Sequence, residues 1–162
     1  IESITGKKFT PEDACNWSMA NGYKALCNGT YYGYFKPQFA EFGIDCDMLN
    51  WTKTYGKPDH ANHKKVEEML KQGYYFIALM LKGLWTTGGH FVVLWWQDGK
   101  VRINDPASTK DARLNGDIQT FRSQCAYYWW VDARKFNGYG TAVKPRSLPV
   151  IPRPPVLLRP SA

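Results

Sequence analysis

The feature that most constrains this chain is an Asp98-Gly99 dipeptide flanked by two apolar, β-branched and aromatic runs within the stretch Gly88 to Pro106. Asp-Gly favours a two-residue turn, and β-branched and aromatic residues on either side favour strands, so the segment 88–106 predicts a β-hairpin. With Asp98 and Gly99 as the loop, Gln97 faces Lys100, Val92 faces Asp105 and His90 faces Ala107. Side chains alternate between faces, so His90, Val92 and Asp105 share one face. His90 and Asp105 become diagonal neighbours about 7–8 Å apart at the backbone, a gap that an imidazole and a carboxylate bridge. A three-residue loop would instead put them on opposite faces. An acid that orients a histidine is two thirds of a nucleophilic triad.

The rest of the chain reads as helices first and strands later. Thr10-Pro11-Glu12-Asp13 has the order of a helix start: a capping hydroxyl, Pro in the first helical position and acids in the first turn. This helix is expected to reach about Cys27, with Cys15, Met19, Gly22 and Leu26 as its inward stripe. Further helices are expected around Pro37 to Phe42, Asp47 to Tyr55 and Asn62 to Gln72. The apolar run Tyr74 to Leu81 has the length of a central strand, and Tyr127 to Val131 reads as another, after a short helix capped by Asp117. The expected class is α+β, with the N-terminal helix packed on an antiparallel sheet.

A chain of 162 residues with 44% hydrophobic content can bury one core. We expect one domain over 1–142 and a basic, Pro-rich tail or linker over 143–162, where six of the ten prolines fall in the last eighteen residues. The net charge is +7, but Lys144, Arg146, Arg153 and Arg159 supply four of those charges, and the other 142 residues have no dense basic stripe. That argues against a nucleic-acid partner and suits a polyanionic setting such as a bacterial cell wall. No apolar run is long enough to span a membrane. The pair His60 and His63 has a metal-ligand spacing but no Cys or further His close by, so a solvated loop is expected and no metal or other cofactor.

Among the possible nucleophiles Cys15 stands out, because thiolates are favoured near helix starts. The opposing reading is a buried core cysteine on the inward stripe. Cys27, Cys46 and Cys125 have weaker positions, and the four cysteines allow two disulfides, one or none.

The order Asp13-Ala14-Cys15-Asn16-Trp17, a helix ending in Leu70-Lys71-Gln72-Gly73 before an apolar strand, then Gly88-Gly89-His90-Phe91-Val92-Val93 and Val101-Arg102-Ile103-Asn104-Asp105-Pro106, resembles the papain-like cysteine peptidases that process bacteriocin leaders. The resemblance covers residues 10 to about 108. It implies a papain-like fold, Cys15 as nucleophile, His90 as general base and acid, and Asp105 as the residue that orients His90. It also implies an oxyanion hole from the Cys15 amide, with Asn16 next to it. Position 9 holds Phe where the family commonly has Gln, and Asn16 stands where it has Gly, so the second donor is not identified. Gly88, Gly89, Trp85 and Trp17 are the candidate substrate-binding residues. The expected activity is hydrolysis of peptide or amide bonds by a secreted or extracytoplasmic bacterial or phage enzyme. Its substrate is a protein or the peptides of peptidoglycan, and the tail reaches a further domain or partner. The alternatives are an inactive papain-like binding domain and an acyltransferase using the same triad.

Overall fold

The computed structural model describes residues 1–24 and 29–136, together with the backbone of Pro160 and Ser161. Its helices are Glu2–Thr5 (α1), Pro11–Ala20 (α2), Phe35–Ala40 (α3), Ala61–Lys71 (α4), Asp111–Leu114 (α5) and Ile118–Gln124 (α6). Its strands are Thr30–Tyr31 (β1), Asp45–Met48 (β2), Tyr75–Leu81 (β3), Gly89–Gln97 (β4), Lys100–Asn104 (β5), Cys125–Asp132 (β6) and Pro160–Ser161 (β7). Strands β2-β6-β3-β4-β5, in that order, form one antiparallel sheet, and β1 and β7 make a short parallel pair. The fold is α+β.

The apolar run becomes β3, the middle strand, bonded on both edges and buried from Tyr75 to Met80. One face of the sheet, with Phe76, Ala78, Met80, Val92 and Leu94, packs against Val66 and Leu70 of α4 and Phe121 of α6. The other, with Ile77, Leu79, Phe91 and Trp95, packs against Phe35 and Phe39 of α3, with Ala14 and Trp17 of α2 alongside. Helix α4 follows its periodic pattern closely. Asp117 caps α6 as expected, accepting from the Thr120 amide at 2.8 Å.

Three expectations need correction. Helix α2 ends at Ala20 instead of near Cys27, because Gly22 adopts φ +77°, a left-handed conformation that stops a helix. Its packing side also differs: Met19 is 55% exposed, whereas Ser18 is buried. Leu26 and Cys27 lie outside the described residues. The helix expected from Asp47 to Tyr55 is not formed. Asp45–Met48 is strand β2 along the edge of β6, where Cys46 faces Val131 and Met48 faces Trp129. The chain then follows β6 onward, with the amides of Leu49 and Thr54 donating to the carbonyls of Tyr128 and Ala126. The exposed edge of β6 claims the segment, since unpaired buried backbone groups are costly.

The tail expected over 143–162 lies outside the described residues except for the backbone of Pro160 and Ser161. Among the described residues no helix is long and apolar enough to cross a membrane.

Candidate active site

The hairpin forms in the register that Asp98-Gly99 dictates. Both residues have positive φ, 51° and 73°, and Gln97 pairs with Lys100, Leu94 with Ile103 and Val93 with Asn104. His90 is the second residue of β4, and Asp105 directly follows β5. Their side chains meet: His90 Nε2 lies 2.7 Å from Asp105 Oδ1. An ionised carboxylate only accepts, so in the neutral ring Nε2 carries the proton and Nδ1 keeps its lone pair.

Asp105 is completely buried. Its Oδ1 also accepts the Ala107 amide at 2.8 Å. Oδ2 has no hydrogen bond, and the Arg113 Nη1 lies 3.5 Å away, within ion-pair range but without hydrogen-bond geometry. Burial on its own pushes the carboxyl upward. The hydrogen bonds from His90 and Ala107 and the charges of His90 and Arg113 outweigh it and hold the group below the usual carboxylate range. The buried acid is therefore ionised near neutral pH and can orient the imidazole and offset its charge.

No hydrogen bond joins Cys15 to this pair. Thr10 caps α2, its Oγ1 accepting from the Asp13 amide at 3.1 Å while Asp13 Oδ2 accepts from the Thr10 amide at 2.8 Å. Cys15 is then the fifth helical residue, two positions beyond the last free amide, since Ala14 already donates to the Thr10 carbonyl at 3.1 Å. Its amide belongs to the helix's own hydrogen-bond ladder, and Asn16 beside it is exposed. The Cys15 thiol contacts the Met19 sulfur at 4.0 Å. With Phe9, Ala14, Ser18, Tyr34 and Phe91, Cys15 lines a cavity of about 280 Å³ between α2 and the sheet. Val92, Val93, Asn104 and Pro106, chain neighbours of His90 and Asp105, also line this cavity, while alternation along β4 puts the His90 side chain on the face opposite Phe91 and Val93.

The other candidates separate in the same way. Trp85 is buried in the core, edge-on to Phe121 with ring centroids 5.2 Å apart, and its Nε1 donates to the Arg113 carbonyl at 3.1 Å. It is a packing and anchoring residue, with no surface to offer a substrate. Trp17 stacks on Tyr23 at 5.8 Å, on the α2 side of the sheet. Gly88 is exposed with open space where a side chain would stand, and Gly89 opens β4 opposite Leu81. Cys15, Cys46 and Cys125 are free thiols. Burial pushes both Cys46 and Cys125 up to about 12, which leaves them inert as nucleophiles.

His60 and His63 are not in a solvated loop. His60 caps α4, its Nδ1 accepting from the Asn62 amide. His63 is buried, with Nδ1 2.7 Å from the Tyr128 hydroxyl and Nε2 3.0 Å from the Lys57 carbonyl. Both of its nitrogens are engaged in structure. Among the described residues no cluster of three or more His, Cys, Asp or Glu is placed to hold a metal ion.

Sequence reasoning missed Arg113. It lies on a four-residue helix beside no recognisable motif, and the packing of that helix against β5 and Trp85 brings it to Asp105. Comparison with models of known families, with curated proteins and with solved structures finds no match.

Proposed function

We propose that this domain is a papain-like thiol hydrolase of peptide or amide bonds in which His90 and Asp105 form the acid–base pair. The observation that supports it is a fully buried, ionised carboxylate 2.7 Å from the ring of a histidine whose second nitrogen remains a base. In such a pair Nδ1 takes the proton from a thiol as it attacks a carbonyl, then passes it to the leaving amine, and water releases the acyl group. Cys15 is the proposed nucleophile, since Cys46 and Cys125 are buried. For its sulfur to reach Nδ1, α2 must shift from the cavity face toward the start of β4. Peptidoglycan peptides outside the cytoplasm are the proposed substrate, supported by the mild positive charge of the domain. Transfer of the acyl group to an amine would use the same intermediate.

A second reading draws on the position of Cys15 itself. With its thiol over the opposite face and its amide bonded within α2, the domain would be a binding module in which the His90–Asp105 pair only stabilises the hairpin.

Alkylation separates the two readings. Iodoacetamide near neutral pH, followed by peptide mapping, is expected to modify Cys15 first in the wild-type protein and to lose that preference in His90→Ala. Preferential labelling of Cys27 would move the nucleophile there. Equally slow labelling of all four cysteines would exclude a thiol hydrolase. Incubation with purified sacculi then tests the substrate by the appearance of new amino termini.

A further inference from the structure

The pair has a third charged member, and its position raises a question about Asp105. Oδ1 serves two donors, His90 and Ala107, while Oδ2 is sealed from water without a hydrogen bond. An uncompensated carboxylate in such a place takes up a proton rather than remain charged. A protonated Asp105 would lose its full negative charge opposite the imidazole, and with it the means of supporting an imidazolium. The groups whose charges act on Asp105 are His90 from β4 and Arg113 from α5. His90 cannot do this work, because it is neutral for part of every cycle in which it serves as a base. The guanidinium stays charged throughout.

Arg113 is also held in place. Its side chain is only one quarter exposed, and its carbonyl receives the indole N–H of Trp85, which is wedged against Phe121 in the core. A side chain added at Gly116 would run into the Ala112 carbonyl and approach the Trp85 ring at 3.7 Å, so the chain leaving α5 also packs closely on this anchor. The helix is too short to be stable alone and depends on such contacts.

We propose that Arg113 is a positioning residue for the His90–Asp105 pair, a fixed positive charge behind the carboxylate that keeps Asp105 ionised whatever the charge on His90. The inference rests on the reading of the pair as acid–base machinery, but its physical core can be measured without substrate. The length of the ion pair, 3.5 Å, suits this role: the guanidinium acts through its field and leaves Oδ1 to the imidazole.

The test is a carbon NMR titration of the Asp105 carboxyl in the intact protein, with Arg113→Met and Arg113→Lys beside wild type. Methionine keeps most of the packing volume and removes the charge; lysine keeps the charge. The Asp105 midpoint is expected to rise by about one pH unit in Arg113→Met and to return most of the way in Arg113→Lys. A merely structural Arg113 would lower the melting temperature and leave the midpoint where it was, and that result would overturn the proposal. Should Arg113→Met fail to fold, Trp85→Phe supplies the second measurement. It frees the Arg113 carbonyl and is expected to raise the same midpoint by a smaller amount, and an unchanged value would overturn the role. If the titrations behave as expected while no variant or wild type hydrolyses any substrate, the charge relation stands and the hydrolase reading falls.

Discussion

The two faces of the sheet differ in how their polar groups are finished. On the face of α4 and α6, His63, Tyr128 and Asn62 are buried and hydrogen-bonded, and the buried atom of the His90–Asp105 pair left without a hydrogen bond, Asp105 Oδ2, has the Arg113 guanidinium 3.5 Å away. On the face of α2 and α3, Ser18 Oγ and Gln38 Nε2 are buried without hydrogen-bond partners, close to a cavity of about 280 Å³ that holds the Cys15 thiol. Buried polar groups that are hydrogen-bonded or faced by a charge hold their arrangement. A face with orphaned groups and open volume has room to rearrange. The proposed function draws on this difference, with a held His90–Asp105 pair on one side and a thiol with open volume beside it on the other.

The largest expected effect is at Asp105. Asp105→Asn keeps the shape but removes the charge that orients and supports His90, and hydrolysis should fall by about 10³-fold or more. Retained activity in progress curves would detach the pair from catalysis altogether. Next, packing should differ across a single strand. Leu94→Ala, on the closed face, should cost about 3 kcal/mol in urea unfolding, while Val93→Ala, half-buried beside the cavity, should cost about 1 kcal/mol. Equal costs would mean that both faces are packed alike.

The hydrogen-bonded network comes third. Tyr128→Phe takes the hydroxyl from His63 Nδ1 and leaves a buried ring nitrogen unpaired, at a cost of about 1–3 kcal/mol. Burial holds His63 below its ordinary titration range. Because the unfolded chain binds that proton more readily, the stability His63 contributes is complete above about pH 6.5 and is lost as the pH falls toward its folded value. Chemical denaturation between pH 7 and pH 5 should show this acid slope in wild type and a shallower one in His63→Gln; equal slopes would assign the loss to other groups. The smallest effect belongs to the cavity face. Ser18→Ala removes an unpaired hydroxyl and should leave the melting temperature unchanged or slightly higher, within about 0.5 kcal/mol. A clear loss would mean that Ser18 has a partner in solution.

Legibility in the sequence followed the range of the interactions. The hairpin could be read to the residue because two adjacent positions, Asp98 and Gly99, decide its turn and the turn decides the register. Helix α4 and the capped start of α2 were legible for the same reason: caps and periodicity act within a few residues. Segment 47–55 has residues compatible with a helix, but the pairing that makes it follow a strand edge comes from β6, far along the chain. The His90–Asp105 contact follows from local geometry, whereas the Arg113 ion pair and the His63–Tyr128 bond join residues that no short pattern connects. Which face α2 covers was likewise set by tertiary packing, and no hydrogen bond joins Cys15 to the pair that its order in the sequence suggested.

The order of the sheet also bears on how the chain assembles. Strands β3, β4 and β5 are consecutive in sequence and form a meander within residues 75–104. Closing it costs little chain entropy, while β2 and β6 must be gathered from opposite ends of the domain. Loop-closure entropy therefore favours early formation of the meander, and φ-values should be higher in β4 and β5 than in β2. His90 and Asp105 sit in or directly beside this stretch, so their buried contact can be made before the rest of the sheet has closed around it.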